Sequence, residues 1–311
     1  MKQVLYLFIG LSLFSCKNKE IDIPNSWSHD YQAIGMLGDT LEATKPSQAL
    51  LAQYNEKKDA YEAQPNNLEN LIWYGRFAAY TGDYRKAIAI YTLGLEQFPN
   101  DPHLLRHRGH RYITVREFDK AIADLEKAAM LIKGTLNETE PDGMPNAQNI
   151  PVSTLHGNIY YHLGLAYYLK RNLPKALDAF KNALSTSNSP DNVVSTTHWI
   201  YMIQNRMGRK AAGENYLRNI QPDMNVIENT AYYQACLFYK GLISVKELEA
   251  TLQDDPSSNA ALQYALGNWY WYTGYPQKGK EIFQEILKSG HWASFGYIAA
   301  ETDMAKPYVT E

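Results

Sequence analysis

The densest group of reactive side chains lies between His103 and Arg111. His103, His107 and His110 stand at i, i+4 and i+7, which places three imidazoles on one face of a helix. Imidazole binds zinc, so the spacing raises a metal site. Arg106, Arg108 and Arg111 are interleaved with the histidines, however, and no Asp or Glu lies between His103 and Arg111. Three fixed positive charges repel a divalent cation, so the histidines are read as hydrogen-bond donors or groove lining, with no metal and no cofactor implied. Arginine points to other chemistry: its planar fork pairs with carboxylate or phosphate through two hydrogen bonds. For catalysis the signs are absent. There is no G-x-S-x-G, no phosphate loop, no H-E-x-x-H, and no carboxylate pair set apart from the solvated faces.

The elements that must position these groups repeat along the chain. Gly75, Ala87, Tyr91 and Pro99 recur thirty-four residues later as Gly109, Ala121 and Leu125, and a third copy has Gly164, Ala176, Phe180 and Ala183 after a longer gap. Gly208, Gly241 and Gly274 follow at intervals of thirty-three, and the last copy has Gly267, Gly279, Phe283 and Ile286. Two helices of a hairpin approach closely only where a small side chain sits at their crossing, and a large one then fills the neighbouring gap. One such pair cannot bury its apolar face alone, so stacked neighbours must share a core. Asp101-Pro102 fits a helix cap followed by proline in the first turn.

These positions resemble the tetratricopeptide repeat superfamily, over residues 66 to 306, and more closely bacterial repeat lipoproteins. The resemblance implies an all-α protein: a right-handed α-solenoid of about six helix pairs, with an N-terminal capping helix over residues 47–64 and a C-terminal one over 291–306. Its first helices would line a concave groove for a peptide or protein partner. Aligning Gly75, Gly109 and Gly164 places Trp73, Arg76, Tyr80, Arg106, His107, His110, Tyr161, His162 and Tyr168 on that groove, a basic and aromatic patch suited to an anionic group. Some family members hold a terminal carboxylate with lysine and asparagine, but Ile72 and Arg76 stand at the first such pair, so that clamp is not reproduced.

Residues 134–153, with three prolines and the acids Glu138, Glu140 and Asp142, form a long inter-repeat loop. It is expected either to cross the basic groove as a lid, its acids on Arg106 or Arg76, or to be a solvated spacer. Asn268-Trp269-Tyr270-Trp271-Tyr272 raises a sugar-stacking platform, with Trp271 as the ring on the groove side, although aromatics at helical spacing usually pack in cores.

The 311 residues carry a net charge of −3 with 20% charged side chains, which gives no basic field to draw the chain onto nucleic acid. Val4 to Phe14 is apolar and too short to span a bilayer as a helix. Followed by Ser15-Cys16, it resembles a bacterial lipoprotein signal. That resemblance implies residues 1–15 as signal peptide, a lipidated Cys16, a flexible tether over 16–45 and the solenoid over 46–311. Lys17 after the lipidated position implies the outer membrane, with either face possible. The resulting expectation is a non-catalytic envelope lipoprotein that binds a peptide or partner protein. A glycan- or nutrient-binding outer-membrane lipoprotein is the alternative, and a metal-dependent enzyme comes last.

Overall fold

A computed structural model describes residues 31–254 and 260–305. Cys16, the signal segment 1–15 and the first part of the tether lie outside the described residues. Two short strands open the described chain, β1 (Tyr31–Ile34) and β2 (Thr40–Glu42), paired antiparallel. Helix α1 (Gln48–Ala63) follows. Six helix pairs come next: α2 (Leu68–Tyr80) with α3 (Tyr84–Gln97), α4 (Pro102–Thr114) with α5 (Phe118–Leu131), and α6 (Leu155–Leu169) with α7 (Leu173–Ser185). The other three are α8 (Pro190–Arg206) with α9 (Lys210–Leu217), α10 (Thr230–Tyr239) with α11 (Val245–Asp254), and α12 (Ala260–Tyr272) with α13 (Pro276–Lys288). Helix α14 (Phe295–Ala305) closes the described chain. Consecutive helices pack on one another from α1 to α9, and α10 continues the stack between α8 and α12, which makes an all-α solenoid.

Glycines sit where the paired helices cross most closely. A Cβ added to Gly75 would stand 2.4 Å from the ring of Tyr91, one on Gly109 2.8 Å from Leu125, one on Gly164 2.8 Å from Phe180, and one on Gly267 2.7 Å from Phe283. In each pair the large side chain lies sixteen residues after the glycine, on the second helix. Tyr91, Leu125, Phe180 and Phe283 are fully buried. Seven helices start on a side-chain cap: Ser47, Asn67, Asp83, Asp101, Thr154, Asn172 and Ser189 each accept from a backbone N–H of the first turn.

The turn inside each pair needs one residue in the left-handed region, two places after the first helix ends. Gly82, Gly208, Gly241 and Gly274 fill it in four pairs, with φ of 86°, 70°, 73° and 97°. In the other two the residue is Arg116 (φ 66°) or Arg171 (φ 62°). A side chain there costs roughly 1–2 kcal/mol, and these two recover interactions with α14. Arg116 donates through Nε to Glu301 at 2.9 Å and through Nη2 to the Trp292 carbonyl at 2.9 Å. Arg171 donates to the Thr302 carbonyl at 2.9 Å and lies 3.6 Å from Asp303.

Two expectations require correction. The tether ends well before residue 45: residues 31–42 form the hairpin, Ala33 and Leu41 are buried in the main core, and Trp292 Nε1 donates to the Glu42 carbonyl at 2.6 Å. Short alternating strands are hard to tell from irregular chain when their partner surface lies 250 residues away. The C-terminal helix, expected only as an end cap, packs on α12 and α13 and also reaches α6. It therefore fills part of the concave side.

Candidate functional site

The concave side is built from first helices, each giving residues one turn apart. Helix α2 contributes Arg76 and Tyr80, α4 contributes Arg106, His107, His110 and Arg111, and α6 contributes Asn158, Tyr161 and His162. Helix α8 adds Asn192, Ser195 and Thr196, the start of α10 adds Asn229 and Tyr232, and Phe295 of α14 closes the far side. Together they line a cavity of about 400 Å³. A second cavity of about 480 Å³ lies beside it, lined by Leu68, Ile72, Trp73 and His103, and shares Arg76 and His107 with the first.

The sequence-expected residues divide accordingly. Arg76, Tyr80, Arg106, His107, His110, Tyr161 and His162 meet in the first cavity, and Trp73 lines the second, its ring 4.3 Å beneath the Arg76 guanidinium. Tyr168 does not reach either cavity. It is buried, with its hydroxyl 2.6 Å from that of Tyr264 and its ring 5.0 Å from Trp199, because α12 and α14 close the concave side at that level. Trp271 is likewise no open platform, since it stacks on Phe283 at 6.1 Å. Its neighbours disperse: Trp269 packs edge-on to Phe238, Tyr270 lies under Lys278, and Tyr272 meets Tyr201.

Electrostatics separate the histidines from the arginines. Burial, reinforced by Arg106, Arg76 and Arg111, pushes His107 well below the ordinary imidazole range. Burial and then Arg111 do the same to His110. Burial and Arg106 lower His162, against the opposing bond of its Nδ1 to the Asn158 carbonyl at 2.7 Å. All three rings are therefore neutral. Arg106 Nη1 lies 2.8 Å from His107 Nδ1, which makes that nitrogen the acceptor and leaves the proton on Nε2. Among the described residues no group of three or more His, Cys, Asp or Glu is placed to hold a metal ion. His103 instead stands 3.9 Å from Glu138 and 4.0 Å from Glu140.

Those acids come from the 134–153 loop, which is a strap rather than a solvated spacer. Its ends meet where Thr139 bridges Thr154, with Glu140 N donating to Ser153 O at 3.0 Å and Leu155 N to Glu138 O at 2.9 Å. Of the three acids only Glu140 pairs with an expected arginine. It is 5% exposed, 2.8 Å from Arg106 Nη2, and accepts from Asn158. Arg76 donates instead to the Pro141 carbonyl at 2.9 Å. The strap's tip then runs to the α10 side, where Asn146 donates to Glu228 at 2.7 Å and Gln148 to Asn225 at 3.4 Å. Burial and then Glu228 raise the Asp142 carboxyl.

Sequence reasoning missed Arg111 and the α8 and α10 contributions. Arg111 follows His107 by four residues and so shares its face, a signal present in the numbering. Asn229 and Tyr232 carry no such signal, because the signature glycines and alanines are missing from that pair.

The hairpin contacts and the left-handed turn recur in successive helix pairs. The chain is an all-α solenoid of helix pairs, similar in arrangement to tetratricopeptide repeats. No family model matches the sequence, and no curated protein matches it significantly. Solved structures with a similar arrangement include a tetratricopeptide repeat protein from Parabacteroides merdae (16% identity, 81% of this chain and 92% of that one, TM-score 0.47). YrrB, described as a TPR protein with an unusual peptide-binding site, is 16% identical over 75% of this chain and 91% of its own, with a TM-score of 0.40. MamA from Desulfovibrio magneticus is 18% identical over 55% and 83%, with a TM-score of 0.43. At these values nothing about a partner passes to this chain, and its description as a solenoid of helix pairs rests on its own geometry.

Proposed function

We propose that the chain is a non-catalytic scaffold of the cell envelope that takes an anionic segment of a partner protein beneath its strap. One observation carries the reading: three guanidinium groups, of Arg76, Arg106 and Arg111, converge on a single cavity of about 400 Å³ whose histidines are neutral. That volume lies at the low end of the roughly 300–1,000 Å³ of ligand pockets. It suits a short chain end or side chain better than a folded domain. The apolar run Val4–Phe14 ahead of Ser15-Cys16 supports a lipid on Cys16, and Lys17 favours the outer membrane. Among the described residues no helix is long and apolar enough to cross a membrane. A glycan platform at residues 269–272 draws no support, because each ring there packs against a neighbour of its own.

The test is co-purification from detergent-solubilised membranes. A defined envelope protein is expected to accompany the wild-type chain and to be lost with Arg106→Ala combined with His110→Ala, while Cys16→Ser moves the chain to the soluble fraction. Retention of the partner by the double variant defeats the groove, and an unchanged membrane fraction for Cys16→Ser defeats the anchor.

A further inference from the structure

We propose that the cavity is a carboxylate site in which Arg111 receives the guest, an inference that rests on the scaffold reading only for what carries the carboxylate. The three guanidinium groups differ in what they already hold. Arg106 is committed to Glu140 at 2.8 Å and to His107 at 2.8 Å. Arg76 is committed to the Pro141 carbonyl at 2.9 Å and to the face of Trp73. Among the described residues the Arg111 guanidinium hydrogen-bonds only to the His110 ring, with Nη2 2.5 Å from Nδ1 and 2.9 Å from Nε2, and lies 5.7 Å from the centre of the Tyr84 ring. A guanidinium has five N–H donors, and a neutral imidazole offers one lone pair. Among the described residues no carboxylate stands within ion-pair distance of Arg111.

This sets Arg111 apart from the arginines that serve the fold. Arg108 holds Asp124 at 2.7 Å, Arg116 holds Glu301 at 2.9 Å, and Arg206 holds Asp303. Arg111 is only partly buried, but it faces the cavity without an acid, and an anion entering there gains a charge-assisted pair in a site shielded from much of the solvent. Charge favours a small anion. Arg76, Arg106 and Arg111 are set against Glu140 on Arg106, Glu228 at the rim and Asp142 beside Glu228 and Arg76. With acids this near already offsetting much of the positive charge, a singly charged carboxylate suits the cavity better than a phosphate dianion. The strap supplies a precedent, since the group seated on Arg106 is itself a carboxylate. Across the cavity the Asn192 and Asn229 amides and the Ser195 hydroxyl are neutral polar groups, suited to the peptide bond behind a chain terminus or to the second polar group of a small acid.

The experiment is a thermal-shift titration of the full chain in detergent at fixed ionic strength. The probes are acetate, succinate and benzoate against their amides, tripeptides with free or amidated C termini, and inorganic phosphate. Carboxylates are expected to raise the Tm, amides to leave it unchanged, and phosphate to act more weakly. R111Q should weaken the carboxylate response at least about tenfold, the loss of one charge-assisted pair, and R111K should weaken it less, because charge survives while the fork is lost. Glu140→Gln, which releases Arg106, should strengthen it. Tighter binding of free-terminus tripeptides than of the small acids assigns the guest to a chain end, and the reverse order assigns it to a free acid. Equal responses to acids and amides, no response to any carboxylate, or an unaltered response in R111Q overturns the proposal. If R111Q does not fold, R111K and Glu140→Gln decide, and unchanged affinity in both overturns it. A partner that still co-purifies with R111Q, when the probe response is lost, leaves this site standing and moves the scaffold contact elsewhere.

Discussion

His198 illustrates how a single buried ring couples the fold to pH. It is fully buried on α8, stacked on Tyr239, edge-on to Trp199 and tilted against Tyr232, with the Tyr239 hydroxyl 3.3 Å from Nδ1 and no hydrogen-bond partner on Nε2 among the described residues. Burial alone pushes its pKa down to about 3. Because the folded value lies below the unfolded one, near 6.5, the unfolded chain binds the proton first as pH falls. The stability contributed by a neutral His198 is thus complete above about pH 6.5 and is lost progressively towards pH 3. His107, His110 and His162 are depressed in the same sense. Each such group gives a slope approaching about 1.4 kcal/mol per pH unit. In urea unfolding between pH 7.5 and 5, His198→Phe should show a shallower loss than wild type, by about one proton's worth of slope. An identical slope would mean that the ring is protonated, or solvated, in the folded protein.

At the level of elements, the strap behaves as a tied loop. Asn146 organises its tip: Nδ2 donates to the Ile150 carbonyl at 2.7 Å and to Glu228, while Oδ1 accepts from the backbone of Gln148 and Ile150. The rest is held by Glu140 and by close approach of Gly143, where an added Cβ would stand 1.7 Å from the Tyr80 hydroxyl. Asn146→Ala removes these bonds at the tip and leaves the Glu140 anchor and the Gln148–Asn225 contact. Backbone amides of residues 142–150 should then exchange at least about tenfold faster in hydrogen-exchange mass spectrometry, given roughly 1 kcal/mol for each lost bond. Amides of α2 and α4 should keep their protection. Uniform loss across all of these would show instead that the strap unfolds with the whole solenoid.

At the scale of the whole molecule, the two ends of the described residues are joined. Glu301 meets Arg116, Asp303 meets Arg206 and the Tyr264 hydroxyl, and Trp292 meets the N-terminal hairpin. An open array of repeats contacts only its neighbours, and its ends can fray independently. Here α14 ties the second, third and fourth turns to the last pair, so unfolding should be more cooperative. Asp303→Ala breaks the buried Arg206–Asp303 pair, a loss of about 3–5 kcal/mol by comparison with other broken buried pairs. Far-UV circular dichroism and tryptophan fluorescence should give coincident urea transitions in wild type and separate ones in this variant. Coincidence in both, at an unchanged midpoint, would show that the array is cooperative without its closing helix.

The sequence by itself determined the helix pairs. Glycine at 75, 109, 164 and 267, with a large residue sixteen places on, is a local constraint, since both partners sit on adjacent helices of one hairpin. The same regularity put Arg76, Arg106, His107, His110 and His162 on one side, because first-helix register is inherited from copy to copy. Tertiary structure alone decided which of those side chains remain open. Tyr168 was consigned to the core by α12 and α14, and Arg106 was taken by a carboxylate thirty-four residues along a loop without periodicity. Periodic spacing records contacts between neighbours in the chain. The closure of α14 onto Arg116, across 185 residues, leaves no such record, and it is that closure which turns a long groove into a cavity.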